Sequence, residues 1–393
     1  MPLTQLELLQ QEITKQDSSA EPSADAVLVA LQKTLINQKD YHRLFDALMM
    51  QARLEMKLPL AKPASMTGVP EDLEGTFRNA YVKSARKVGA LFLKDNLLSD
   101  AWAYFRTINE PQPIKAAIEK LTVPEEPDEQ FDELVNLALY EGAHVVKGLE
   151  FLLATHGTCN TVTALSQLQA QMSAEDRRAA AKLMVQTIYD ELIDHVRGTI
   201  ASERPGADVT ADLAKLVREH SWLFDGGSYH IDVSHLHSTV GFARALTAQD
   251  GELALAVQLC AYGRQLDAPL QYPGDIPFDE FYIGNQWFLN AIAGTEVDDA
   301  VAYFVKRLKD EPDEPDRRLI SMVILDLAER ADRLPTVLPH VLPHVGEMED
   351  PNGFSFTEMC VDLKLHDALE QLAQQNDDPL AWTIARLTRT TKA

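Results

Sequence analysis

The sequence predicts an all-α protein built from paired helices. Apolar residues recur at helical intervals through almost every segment, and no convincing series of alternating apolar and polar residues marks a strand. Between these segments stand short stretches rich in Pro, Gly, Asp and Ser, where neither a helix nor a central strand continues.

Taken in order, residues 3–15 are helix formers, followed by the polar connection QDSSAEPSAD. Residues 24–58 carry an apolar stripe that includes Tyr41, Leu44, Phe45 and Leu48, and split into two helices near 37–40. The segment LPLAKPASMTGVPED, with three prolines and a glycine, is a loop. Residues 76–113 read as two helices, and the acidic PEEPDEQ breaks the chain before a long helix expected over 131–155. A helix at 161–172 follows, then one capped by Ser173 with Asp176 and ending near Gly198. Residues 201–212 are a loop and 213–224 a helix; Asp225-Gly226-Gly227 is a turn, and Asp232 is the expected N-cap of a helix starting at Val233. Residues 243–266 give two helices broken near Asp250 and Gly251, and an aromatic loop spans 266–288. From 297 onward helix pairs are separated by DEPDEPD, LPHVLPHV and EDPNGFS.

With 393 residues, 46% hydrophobic and 24% charged, the chain can bury a sizeable core, either as compact domains or as an elongated array. A net charge of -24 repels phosphate backbones and anionic lipid, so neither nucleic acid nor a membrane is an expected partner. The short basic groupings at Lys83, Arg86 and Lys87 and at Lys306, Arg307 and Lys309 read as solvated helix faces. Cys159, Cys260 and Cys360 are far apart and lack CxxC spacing, which suggests a reducing interior rather than a disulfide framework or a thiolate zinc site. The N-terminal residues lack a basic region followed by an uninterrupted apolar one, and no apolar run approaches the ~20 residues of a membrane span. The expected location is the cytoplasm.

Within 76–113, Gly89 is followed by Phe92, then by Ala101, Phe105 and Pro113. This series resembles a tetratricopeptide repeat, in which small residues let paired helices touch while aromatics fill the groove between them. The family's early Trp position holds Ala85 here. A partial echo lies at 299–312, where Ala300, Phe304 and Pro312 keep the mutual spacing of Ala101, Phe105 and Pro113, while Phe288 and Ala291 replace the upstream glycine and aromatic. The resemblance implies an α-solenoid of stacked antiparallel helical hairpins whose family role is to bind protein segments, and it carries no catalytic residues. The expected division is 1–123 and 296–393 as helical repeats around a central helical region, 124–295.

That central region holds the candidate chemistry. Four of the chain's 11 histidines fall at His220, His230, His235 and His237. On a helix capped by Asp232, Val233, Leu236, Val240 and Ala243 form the buried stripe; His235 lies near Asp232, and His237 falls about 160° away from His235. His230, Asp232 and His235 therefore form one candidate cluster, and His237 faces elsewhere. Imidazole and carboxylate suit zinc, iron or manganese. Two helical pairs could help: Glu141 with His144, near Gly142 and Gly148, and Glu191 with His195. The alternatives are that Asp232 simply caps its helix and that each pair only stabilises its own helix. Tyr272, Phe278, Phe281, Tyr282 and Trp287 could line a ligand pocket or peptide groove, or pin the loop to the helices beneath. No glycine-rich phosphate loop, HExxH or Ser-His-Asp order is present. The expectation is a binding or scaffold protein recognising a protein segment or small ligand; the alternative is a metal-dependent enzyme, a hydrolase being one such chemistry.

Overall fold

The computed structural model describes residues 4–16, 22–345 and 355–390. Among them there is no strand, and no helix is long and apolar enough to cross a membrane. Five residues of the polar connection after the first helix, 17–21, and nearly all of EDPNGFS lie outside the described residues. The chain divides into two units, Met1–Phe151 and Leu152–Ala393.

In the first unit, α1 (Gln5–Gln16), α2 (Ala24–Asn37), α3 (Tyr41–Glu55), α4 (Glu71–Lys94), α5 (Leu98–Thr107) and α6 (Gln112–Ile118) each pack on the next in the chain. Ser23 caps α2 through the Ala26 amide, and Asp40 caps α3 through that of Arg43, so the expected break at 37–40 is placed by local hydrogen bonding. The proline-rich loop after α3 is organised by Arg53, which is 2% exposed. Prolines offer carbonyls but no donors, and the guanidinium fork donates to the carbonyls of Pro59 and Pro63 at 3.0 and 2.9 Å and to that of Ser65.

Gly89 of α4 lies against the Phe105 ring of α5, where an added Cβ would stand 3.0 Å from it. Phe92 stacks on Tyr104 and meets Tyr41 edge-on. Pro113 does not close α5, which ends at Thr107; it sits in the first turn of α6, where its missing N–H costs nothing.

The single helix expected over 131–155 is interrupted. After α7 (Glu129–Val135) comes a π-helical turn, Asn136–Tyr140, and α8 (Val145–Leu168) starts only at Val145. Gly142 has φ +75°, a left-handed conformation that closes the turn. A Cβ on Gly148 would lie 2.7 Å from the Leu139 backbone nitrogen, so this glycine lets the incoming segment lie directly on α8. Gly157, with φ 77° and ψ 180°, interrupts α8 in its turn, and the boundary between the two units falls within this helix.

The second unit is centred on α9 (Ala174–Glu203), capped by Ser173 through the Asp176 amide at 3.0 Å and running five residues past the expected end at Gly198. Met184, Ile188, Leu192 and Val196 are fully buried along it. Next come α10 (Leu213–Glu219), α11 (Val233–Phe242) and α12 (Glu252–Gly263), all against α9. The first of the two helices expected over 243–266 is only a 3₁₀ turn, Ala243–Ala245, continuing α11. The aromatic loop is shorter than expected, because α13 (Phe281–Ile292) takes its second half: FYIGNQWF contains no proline and places Phe281, Tyr282, Asn285, Phe288 and Leu289 on one buried face. Ile276–Pro277 in the remaining loop is cis.

Next, α14 (Val297–Asp310), α15 (Glu314–Arg330) and α16 (Leu334–Val341) pack each on its neighbour, and also α13 on α15 and α14 on α16. Phe304 is fully buried and meets Phe288 edge-on at 6.4 Å, the same chain interval that separates Gly89 from Phe105. The last helices are α17 (Phe356–Asp362), α18 (His366–Gln375) and α19 (Pro379–Thr390).

Candidate functional site

Glu191, His195, His230, Asp232 and His235 line one cleft of about 780 Å³ in the second unit, between the C-terminal half of α9 and the start of α11. Their assembly follows from local rules. Glu191 and His195 sit on the same side of α9, beside its buried stripe. Asp232 Oδ1 accepts from the amides of Ser234 and His235 at 2.8 and 3.3 Å and from the Ser234 hydroxyl, which fixes where α11 begins. The hydrogen bond from Ser234 holds the Asp232 carboxyl below its ordinary pKa despite partial burial.

His195 Nδ1 lies 2.9 Å from the His230 carbonyl oxygen, so Nδ1 is the donor, and in the neutral ring the lone pair is then on Nε2. The His230 backbone N–H donates to the buried Tyr262 hydroxyl at 2.8 Å. That hydroxyl then has its own proton to donate to His230 Nδ1, 3.1 Å away, which makes Nε2 of His230 the protonated nitrogen. Burial, with the nearby His195, pushes the His230 pKa down, so this ring favours its neutral form. Glu191 Oε1 accepts from Thr158 Oγ1 at 2.9 Å. The cleft therefore presents two imidazoles held in defined tautomers beside carboxylates.

These groups share a cleft without converging as a metal site would. Among the described residues, the group of three whose ligand atoms all lie within 4.8 Å of one another is Glu311, Asp313 and Asp316. Asp232 is occupied as a cap, and the inward histidines point to separate partners. A metal bound here would draw on His195 Nε2, Glu191 and His235 only after their side chains moved.

Glu141 and His144 belong to the first unit, and they flank the Gly142 turn instead of sharing a helical face. His144 Nε2 bonds Glu119 Oε2 at 2.8 Å, and its Nδ1 accepts from the Lys147 amide at 3.4 Å, a capping role at the start of α8. Glu141 accepts from Asn136 Nδ2 at 3.4 Å.

His237 lies, as helix phase predicts, on the other flank of α11 from His235. It faces a second cavity, of about 530 Å³, and stacks on Phe281 with ring centres 3.6 Å apart. Of the five aromatic candidates, Phe278 and Phe281 line this cavity. Tyr272 is exposed beside His237; Tyr282 is buried against Gly263, and Trp287 stacks on Tyr303. Arg244 also lines the cavity, a residue that sequence reasoning passed over. Its signal was a lone cation in the apolar run GFARAL that ends α11.

The chain matches no family model, no curated protein and no solved structure.

Proposed function

We propose that this chain is a helical-repeat binding protein of tetratricopeptide-like, α-solenoid build, whose concave face takes a protein segment or a small ligand. The observation that carries the reading is the packing order. In the first unit the principal partner of each helix from α1 to α6 is its chain neighbour, and α13 to α16 pack on their first and second neighbours. Such quasi-one-dimensional packing belongs to repeat arrays, whose open grooves serve binding. In the first unit a groove of about 690 Å³ places Leu98, Phe131, Leu134 and Leu137 beneath an acidic rim that includes Glu126 and Asp128. Its chemistry suits a peptide with an apolar anchor and basic flanks.

The test is a synthetic peptide array of that composition, with each bound peptide mapped by amide hydrogen exchange on the whole chain. A ligand should slow exchange around 96–100 and 121–137, and Leu134→Asp should abolish binding while circular dichroism stays unchanged. If no peptide and no small compound protects either this groove or the cavities of the second unit, the binding reading fails.

A second reading, a metal-dependent enzyme of hydrolase type using zinc, iron or manganese, is favoured by one observation. The carbonyl of His230 engages Nδ1 of His195 and leaves Nε2 without such a partner in the cleft that Glu191 and His235 also line, the outer-sphere arrangement that orients metal-ligating histidines. Metal analysis of protein purified without an affinity tag, and after addition of each metal, tests it. His235→Ala should abolish binding and His237→Ala leave it nearly intact; equal effects refute it.

A further inference from the structure

The second cavity of the second unit is lined by a largely buried guanidinium, that of Arg244. Arg244 Nε donates to the Gly241 carbonyl at 3.1 Å, and the guanidinium carbon stands 4.4 Å from the centre of the Phe278 ring. Among the described residues no carboxylate forms an ion pair with it, although burial opposes its charge strongly enough to pull its pKa down. Arg307 takes Asp279 and Glu280, Arg333 takes Asp298, and Arg330 takes Asp326 while donating to the carbonyls of Arg244 and Leu246. The acids whose charge reaches Arg244, Asp275 and Asp326, act from beyond ion-pair distance. A cation kept in such a place without a partner costs free energy that a bound anion would recover.

Two further features meet at the same cavity. His237 lines it too: the ring is held at the Pro273 carbonyl, and among the described residues its buried Nε2 has no hydrogen-bond partner. On the opposite wall, α15 presents Leu319, Met322 and Val323, and Leu319 is 52% exposed. A volume of about 530 Å³ is that of a small-molecule site. We propose that this cavity binds a small organic carboxylate with an apolar body, its carboxylate paired with Arg244 and its body laid along Phe278, Phe281 and the α15 wall. A single guanidinium presents two parallel N–H donors to a planar carboxylate. With one cation, and with Asp275 on the rim, the site disfavours a multiply charged phosphate. The proposal deepens the binding reading by naming a ligand class, and rests on it.

The test uses the whole chain and three probe pairs, octanoate, 4-phenylbutyrate and indole-3-butyrate, each against its own amide, by titration calorimetry. At least one acid should bind, with its amide tenfold or more weaker. Arg244→Gln should abolish acid binding, and Asp275→Asn, on the exposed rim, should strengthen it severalfold. The Asp275 variant carries the test if Arg244→Gln fails to fold. Equal binding of acid and amide, or acid binding unchanged by the Asp275 and Arg244 substitutions, overturns the carboxylate assignment but leaves the binding reading standing. No binding by any acid overturns the assignment too, and the binding reading is then decided at the groove of the first unit.

Discussion

Replacing Asp250 by asparagine should cost the second unit about 2–3 kcal/mol at neutral pH. The Asp250 side chain is 3% exposed and accepts from Arg178 Nε and Nη2 at 2.7 and 2.9 Å, and from the Thr247 amide and hydroxyl at 2.8 and 3.0 Å. It joins α9 to the turn that precedes α12. Asparagine keeps the shape and one acceptor for Thr247, but it turns an amino group or a weak acceptor toward the guanidinium. Breaking a buried pair by removing one partner costs ~3–5 kcal/mol, and the figure is reduced here because Arg178, 39% exposed, regains water. Arg178 holds the Asp250 carboxyl far below its ordinary pKa. A folded pKa below the unfolded one means that the stabilisation is fully present above about pH 4 and fades as pH falls toward the folded value. The assay is urea unfolding read by amide exchange in α9 and α12, so that the signal stays local to this unit. The stability gap between wild type and Asp250→Asn should narrow below about pH 4, and Arg178→Ala with Asp250→Asn should show a coupling of about 1–3 kcal/mol. A gap under about 0.5 kcal/mol at pH 7, or strictly additive single effects, would refute the reasoning.

Two glycines of the helices should respond oppositely to alanine. At Gly263 the new Cβ would fall 2.3 Å from the buried Tyr282 ring, so overpacking of about 1–3 kcal/mol outweighs any gain in helix propensity and lowers the Tm. At Gly75, within α4, nothing lies within 4 Å, and the same change should stabilise by up to about 1 kcal/mol; thermal scans of both variants check the pair. Arg53→Ala should leave the proline-loop carbonyls without donors, lowering stability by about 2–4 kcal/mol and opening 58–70 to protease, and Arg53→Lys should rescue little because an ammonium cannot span the carbonyls.

What was legible in the sequence was whatever depends on neighbours along the chain. Helical spacing placed α2 and α3, and the Asp232 cap placed α11, because a cap and a stripe are each fixed within a few residues. The same local geometry sent His235 and His237 to different cavities, as the phase of a capped helix requires. It failed at Gly142 and Gly148. A glycine in a helical pattern is equally a tolerated interior residue or a turn, and here the choice was made by Leu139 docking on α8.

Charge balance is a different kind of information. Whether Arg244 is paired depends on where the nearby carboxylates point: Asp326 is taken by Arg330, and Asp275, which lines the same cavity, stops short of ion-pair distance. Helix periodicity can say that Arg244 follows the buried stripe of α11, but it cannot say which acids remain for it. The histidine cluster shows the converse: helix phase gathers its residues into one cleft, yet His230 Nδ1 is committed to Tyr262, His195 Nδ1 to a carbonyl and Asp232 to its cap, so proximity alone does not make them a metal centre. Arg244 donates to the Gly241 carbonyl and lies over the Phe278 ring, but its buried charge is met by no ion pair among the described residues. That unpaired buried charge is the ground for proposing a ligand at the α11–α15 cavity rather than at the histidine cleft.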